Sequence, residues 1–174
     1  MEIYLIASDS LKIRSKQSVL AVNDVGKGVV CQGVIIFGKE IRSSLPENIP
    51  VIFGPGEYEI GGIKITGISE AHTIYSMHID GIDVLMATTS ALEKIHSKLK
   101  EHHIIILHAL RADDSISSSS VMALSPKVLL VYGEGSEKFV KSFYKEDVKK
   151  SNKYSTALEK LPTELEVILL SSNT

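Results

Sequence analysis

The rhythm of hydrophobic positions changes near residue 90. Up to that point, short runs rich in Ile and Val are broken by Gly, Asp, Ser or Pro. That pattern predicts strands at 2–7, 11–13, 18–22, 33–37, 51–53, 62–68, 73–79 and 82–86. Ile79-Asp80-Gly81-Ile82 sets an Asp-Gly pair between the last two runs, the strongest short hairpin signal in the chain. Beyond residue 90 the apolar residues space out for helices. Ser90 to Glu93 has the form of a capping box, and Leu92, Ile95 and Leu99 follow on one helical stripe. A nearly unbroken apolar run at 103–109 predicts a strand buried on both faces. Asp113 or Asp114 can cap a helix running to about Leu124, which Ser125-Pro126 ends. A second buried strand is expected at 127–132, an amphipathic helix at 136–150 and a last strand at 165–170. Strands first, then helices and strands in alternation, indicate sheets covered by helices, an α+β arrangement.

Composition narrows the class without naming a task. At 174 residues the chain is expected to form a single domain, 1–174, burying roughly 70% of its unfolded surface. Hydrophobic residues make up 44% and charged residues 23%, as in ordinary globular proteins. A net charge of −2 argues against a nucleic-acid surface. The lone Cys31 excludes an internal disulfide framework and fits a reducing compartment. The opening MEIYLIASDS has too short an apolar run for a signal peptide or membrane anchor. A cytoplasmic protein without membrane association is expected.

The segment from Gly54 to Ile68, GPGEYEIGGIKITGI, carries most of the remaining information. It resembles a signature of metallo-β-lactamase-fold hydrolases, in the branch similar to ascorbate-6-phosphate lactonase. The resemblance extends along the chain. The first twenty-four residues are similar to the opening hairpin of that family. The Asp80-Gly81 turn falls where the family has a hairpin before a ligand aspartate. Ser125-Pro126-Lys127-Val128 resembles a helix-to-strand turn, and Glu137-Lys138-Phe139-Val140 with the last strand resembles the C-terminal part. The fold this implies is a four-layer αββα sandwich, somewhat trimmed. In active members, two metal ions sit at the sheet edge on a His-x-His-x-Asp-His loop, two later histidines and a bridging aspartate. There they lower the pKa of a bound water and polarise the substrate oxygen.

Nearly all of those ligands are missing. After the run Val34-Ile35-Ile36-Phe37 the chain reads Gly38-Lys39-Glu40-Ile41-Arg42-Ser43, so Lys39 and Arg42 bring positive charge where cations should bind. By the same resemblance Ala7-Ser8-Asp9 stands for the family's Gly-His-Ser. The bridging aspartate falls near Thr88 or Thr89, and the last histidine near Gly133. Only His72 lies where a family histidine is expected. The resemblance therefore implies a metal-free relative with no cofactor and no catalytic residues, working as a small-ligand or protein-interaction module. Polar positions around the old site, with Lys39, Arg42 and Arg111 as candidate binding residues, fit a small anionic ligand or a polar protein partner. An oligomer is left open. The alternative is a hydrolase of esters, lactones or phosphoesters with zinc or manganese in a rebuilt site of His72, His108, Asp113 and Asp114.

Other candidates read more simply. His96, His102 and His103 flank a predicted helix end, where imidazoles meet C-terminal carbonyls, and His78 alternates with Ile79 as a solvent-facing strand residue. Glu57 and Glu59 are expected to pair strands rather than act as acid and base. No Gly-x-Ser-x-Gly elbow surrounds any serine, which argues against a serine hydrolase. Cys31, between Val30 and Gln32, reads as a small hydrophobe.

Overall fold

Two β-sheets face each other across one apolar core. The computed structural model describes residues 1–24, 30–38, 45–68, 73–144 and 148–172. In chain order the strands are β1 (Glu2–Ala7), β2 (Ser10–Arg14), β3 (Val19–Val22), β4 (Gly33–Ile35), β5 (Val51–Ile52), β6 (Gly56–Ile60), β7 (Ile63–Ile68), β8 (Ile74–Ile79) and β9 (Ile82–Thr88). Helix α1 (Thr89–Ile95) follows, then β10 (Ile104–His108), α2 (Ser118–Met122), β11 (Val128–Tyr132), α3 (Ser136–Phe143), β12 (Lys149–Ser151), β13 (Lys153–Ser155) and β14 (Glu166–Leu170). The smaller sheet has the order β13-β1-β2-β3-β4-β5 and the larger one β12-β14-β11-β10-β9-β8-β7-β6.

The period-two rule decides which residues meet. In β10, Ile104 and Ile106 point between the sheets, while Ile105 and Leu107 point outward to the helices. Its neighbours repeat the division, with Val84, Met86, Val128 and Leu130 inside and Leu85, Ala87, Leu129 and Val131 outside. Ile3, Leu11, Ile13, Leu20 and Ile35 of the smaller sheet complete the inner core. Each such side chain, fully buried, contributes about 1.5–3 kcal/mol relative to an exposed one. Leu92 and Ile95 of α1, Val121 of α2, and Phe139 and Val140 of α3 cover the outer face of the larger sheet. The outer face of the smaller sheet differs. Its buried Ala21, Val34 and Ile36 are covered by Cys31, Leu45, Ile49 and Val51, and no described helix lies there.

The glycine-rich segment is a strand pair at the edge of the larger sheet. Strands β6 and β7 pair antiparallel from Gly56↔Gly67 to Ile60↔Ile63, and Glu59 faces Lys64. Both hairpins of this region turn through two residues at positive φ: Gly61 and Gly62 at 55° and 80°, Asp80 and Gly81 at 53° and 85°. Gly67 is small for a packing reason. A Cβ there would come within 2.5 Å of the Gly54 carbonyl oxygen and 3.2 Å of Pro55 Cα.

Several expected elements are corrected. The cap of α1 is Thr88 rather than Ser90, its hydroxyl accepting from the Ala91 amide at 3.3 Å. Glu93 does not close a capping box; its carboxylate accepts from the Ser117 amide at 3.0 Å and ties α1 to the start of α2. Neither Asp113 nor Asp114 caps α2, which begins only at Ser118 under the Ser117 side chain. Helix α3 stops at Phe143 instead of running to 150, and residues 149–151 instead pair in parallel with β14. The next residues, Lys153–Ser155, cross to the other sheet and pair with β1, so one short segment edges both sheets.

Candidate functional site

Parallel strands carry their C-terminal ends to one edge. Strands β9, β10 and β11 run parallel, as do β3, β4 and β5, and the residues following them gather there. The tip between β1 and β2 joins them. Buried Asn23 donates from Nδ2 to the Asp9 and Phe37 carbonyls at 3.0 and 2.7 Å and accepts the Phe37 amide at 2.8 Å. Asn23 has φ 57°, a conformation asparagine tolerates better than most side chains. This edge is where the family resemblance puts the metal ions.

The inward-facing rung at this edge is Thr88, His108 and Tyr132, in register across β9, β10 and β11. His108 is 2% exposed, and its ring stacks on Tyr132 with centroids 4.4 Å apart and planes at 5°. Phe37 leans over from the smaller sheet at 6.0 Å from His108 and meets Tyr75 edge-on at 6.2 Å. Tyr75 accepts the Gly54 amide at 3.0 Å, and burial pushes its phenol up to about 12. Burial, then the charge of Asp9, raises the Tyr132 phenol as well. Its buried hydroxyl has no hydrogen-bond partner among the described residues.

Thr88 of this rung, with Gly38 and Gly133 beside it, covers positions where the resemblance implies metal ligands. Thr88 is fully buried and occupied as the cap of α1. A Cβ on Gly38 would sit 3.2 Å from His108 Nδ1 and 3.7 Å from Thr88 Cγ2. Gly133 has φ 108°, and a Cβ there would overlap the Ala109 carbonyl oxygen and stand 2.7 Å from His108 Cδ2. A histidine at that position cannot be accommodated without moving backbone. The donor set on the described residues therefore does not fit a pair of metal ions, and no group of three or more His, Cys, Asp or Glu among them is arranged to hold one.

The remaining candidates are dispersed. His72, Lys39 and Arg42 lie outside the described residues. Arg111 is exposed just past β10. The Asp114 carboxylate accepts from the Leu110 and Arg111 amides at 2.7 and 3.1 Å, so it organises its own loop, while Asp113 is exposed. Glu57 and Glu59 project from the edge strand, matching a pairing role. Cys31 is half-buried, and burial raises its thiol, as for a small hydrophobe. His96 Nδ1 donates to the Glu93 carbonyl at 2.9 Å, and His78 is exposed beside Asp83 at 2.7 Å.

His102 departs from its expected place. It is buried, 5% exposed, against the outer face of the larger sheet, with Nε2 2.8 Å from Ser76 Oγ and Nδ1 2.8 Å from the Lys100 carbonyl. Sequence reading missed this pair because nothing local links two residues on a strand and a loop, twenty-six positions apart.

No protein-family model matches the chain, and no curated protein matches it in sequence. Solved structures do. A candidate zinc-dependent hydrolase of the metallo-β-lactamase superfamily from Thermotoga maritima superimposes with a TM-score of 0.71 at 16% identity, over 97% of this chain and 98% of that one. The metallo-β-lactamase fold protein YhfI from Bacillus subtilis gives 0.58 at 11% identity, over 99% and 97%. A candidate metal-dependent hydrolase from Parabacteroides distasonis gives 0.56 at 14%, over 95% and 91%. No helix among the described residues is long and apolar enough to cross a membrane. The chain has the metallo-β-lactamase fold, and the described part of its strand-end edge is built from packed rings and glycines.

Proposed function

We propose that the strand-end edge does not carry out metal-dependent hydrolysis and serves as a small-ligand or protein-interaction surface. The observation that supports this reading is the filled floor. His108 stacked on Tyr132 lies against Gly38 and Gly133, the latter leaving no room for the ligand side chain that the resemblance puts there. A buried stack of this kind contributes packing energy, about 0.5–1.5 kcal/mol beyond its area burial for an aromatic pair. It supplies no activated water. The rebuilt-site alternative has less support, because Asp114 Oδ2 already accepts the Leu110 and Arg111 amides and Asp113 is exposed.

The ligand side of the reading rests on charge. Lys39 and Arg42 occupy the sequence of the former metal loop, and Arg111 follows the strand that ends in His108. Cations at these sequence positions would suit a small anion or an acidic protein contact. Calorimetric titration with inorganic phosphate as the probe tests it. Binding is expected that weakens at least tenfold in the K39A/R42A/R111A variant while its melting temperature stays close to that of the unaltered protein. Phosphate binding unchanged by those substitutions would remove these residues from the surface.

A further inference from the structure

A cleft of about 440 Å³ opens on the outer face of the larger sheet, between β7–β9 and the loop at 98–102. It lies away from the strand-end edge: His102 precedes β10 and His108 ends it, six residues or roughly 20 Å along an extended chain. The residues facing the cleft alternate with core positions. Thr66 and Ser76 are cross-strand partners, and the next residue in that row is Leu85, already under the helices. The outer face thus turns from apolar to polar at Ser76, where Ser76 and His102 both line the cleft.

The hydrogen bonds fix how this pair is protonated. A carbonyl oxygen can only accept, so His102 Nδ1 carries the proton and donates to the Lys100 carbonyl at 2.8 Å. Nε2 is therefore the lone-pair nitrogen, and the Ser76 hydroxyl donates to it at 2.8 Å. Burial lowers the imidazole from its ordinary value, opposed by the Lys100 carbonyl and by Asp83, and so favours the neutral ring. A hydroxyl hydrogen-bonded to a neutral imidazole, itself oriented by a third group, is the arrangement an activated serine nucleophile requires. The carbonyl stands where a carboxylate more often stands. It sets the tautomer but adds less charge, so a slower site than a full triad follows.

We propose that this cleft is an acyl-transfer site for small carboxylic esters, with Ser76 as the nucleophile and His102 as its base. Ile68 and Leu99 provide an apolar wall for a short acyl group, and Lys100 lines the same cleft as a cation toward which a developing oxyanion can turn. In the first step Ser76 Oγ bonds to the ester carbonyl carbon as its proton passes to Nε2. The carbon–oxygen bond to the alcohol then breaks, and the alcohol leaves with that proton. Water next adds to the acyl carbon, giving a proton to Nε2; the carboxylic acid departs as Ser76 regains its proton.

The test is to expose the folded, unaltered protein to a fluorophosphonate probe and, separately, to 4-nitrophenyl acetate, and to map the adducts by peptide mass. One phosphonyl group and one acetyl group on Ser76 are expected. His102→Gln keeps an acceptor toward Ser76 but no titratable base, and it should slow adduct formation by about 100-fold or more. Circular dichroism reports whether that variant is folded, and labelling of the unaltered protein decides the matter alone if it is not. Absence of adducts on Ser76, adducts only elsewhere, or an equal rate in folded His102→Gln would each overturn the proposal and leave the pair as a latch for the loop.

Discussion

Two buried histidines bracket β10, and they are held in different ways. His108, at the strand's C-terminal end, lies between ring faces, stacked on Tyr132 and approached by Phe37. His102, before its start, has both nitrogens in hydrogen bonds at 2.8 Å, one to a carbonyl and one to a hydroxyl that lines a cleft. Burial alone therefore says little about what a histidine does. The two hydrogen bonds of His102 give it a defined tautomer and a direction for proton transfer, which ring stacking by itself does not give. His108 lies at the strand-end edge and His102 on the outer face of the larger sheet.

The largest expected effect probes the packed end. Gly133→Ala forces a side chain into positive φ and against Ala109 and His108, and should destabilise by about 3 kcal/mol, combining backbone strain and overpacking. Urea unfolding would show it as a lower midpoint with an unchanged slope. A change within about 0.5 kcal/mol would mean that the floor is open and that a ligand side chain could return there.

Tyr132→Phe should move stability the other way. The hydroxyl is buried without a hydrogen-bond partner among the described residues, so removing it relieves a desolvation cost of about 1 kcal/mol or more. The same unfolding experiment checks this. Clear destabilisation would reveal a polar partner at the rung and turn the comparison towards chemistry at that edge.

The smallest effect is a pH slope at the other histidine. His102 is lowered by burial from 6.5, so as pH falls the unfolded chain takes up this proton before the folded one does. Its contribution is complete above that unfolded value and is lost as pH falls through and below it towards the folded value. The slope cannot exceed about 1.4 kcal/mol per pH unit for one proton. Unfolding free energies of the unaltered protein and His102→Gln should diverge in slope between pH 7 and pH 5. Parallel curves would mean that the folded imidazole titrates as if exposed.

The layers of the fold were legible because alternation and turn chemistry are local. Strands β1, β7, β8, β10 and β14 and the Asp80-Gly81 hairpin lie where periodicity and turn residues put them. The misplaced elements are those decided by distant contacts. Helix α3 ends early because residues 149–151 find a parallel partner in β14, a pairing that their lysines do not announce. Asp114 looked like a helix cap because a carboxylate before a serine run satisfies amides, and it does so, but for Leu110 and Arg111 rather than for a helix. At the strand-end edge the resemblance singled out positions where relatives are expected to carry ligands. It could not reveal that His108 fills the space among them, since Gly38, Thr88, His108 and Gly133 come from four segments that only folding joins. The Ser76–His102 pair was invisible for the same reason, and the missing glycine elbow pointed away from it.

The central claim is that the strand-end edge has exchanged metal ligands for packing. Elemental analysis of the purified protein, after dialysis against zinc and then against manganese followed by metal-free buffer, tests it most directly. The account predicts far less than one equivalent of either metal, the same in the unaltered protein and in His108→Ala. One or more equivalents of bound metal, lost on changing His72 or His108, would contradict it.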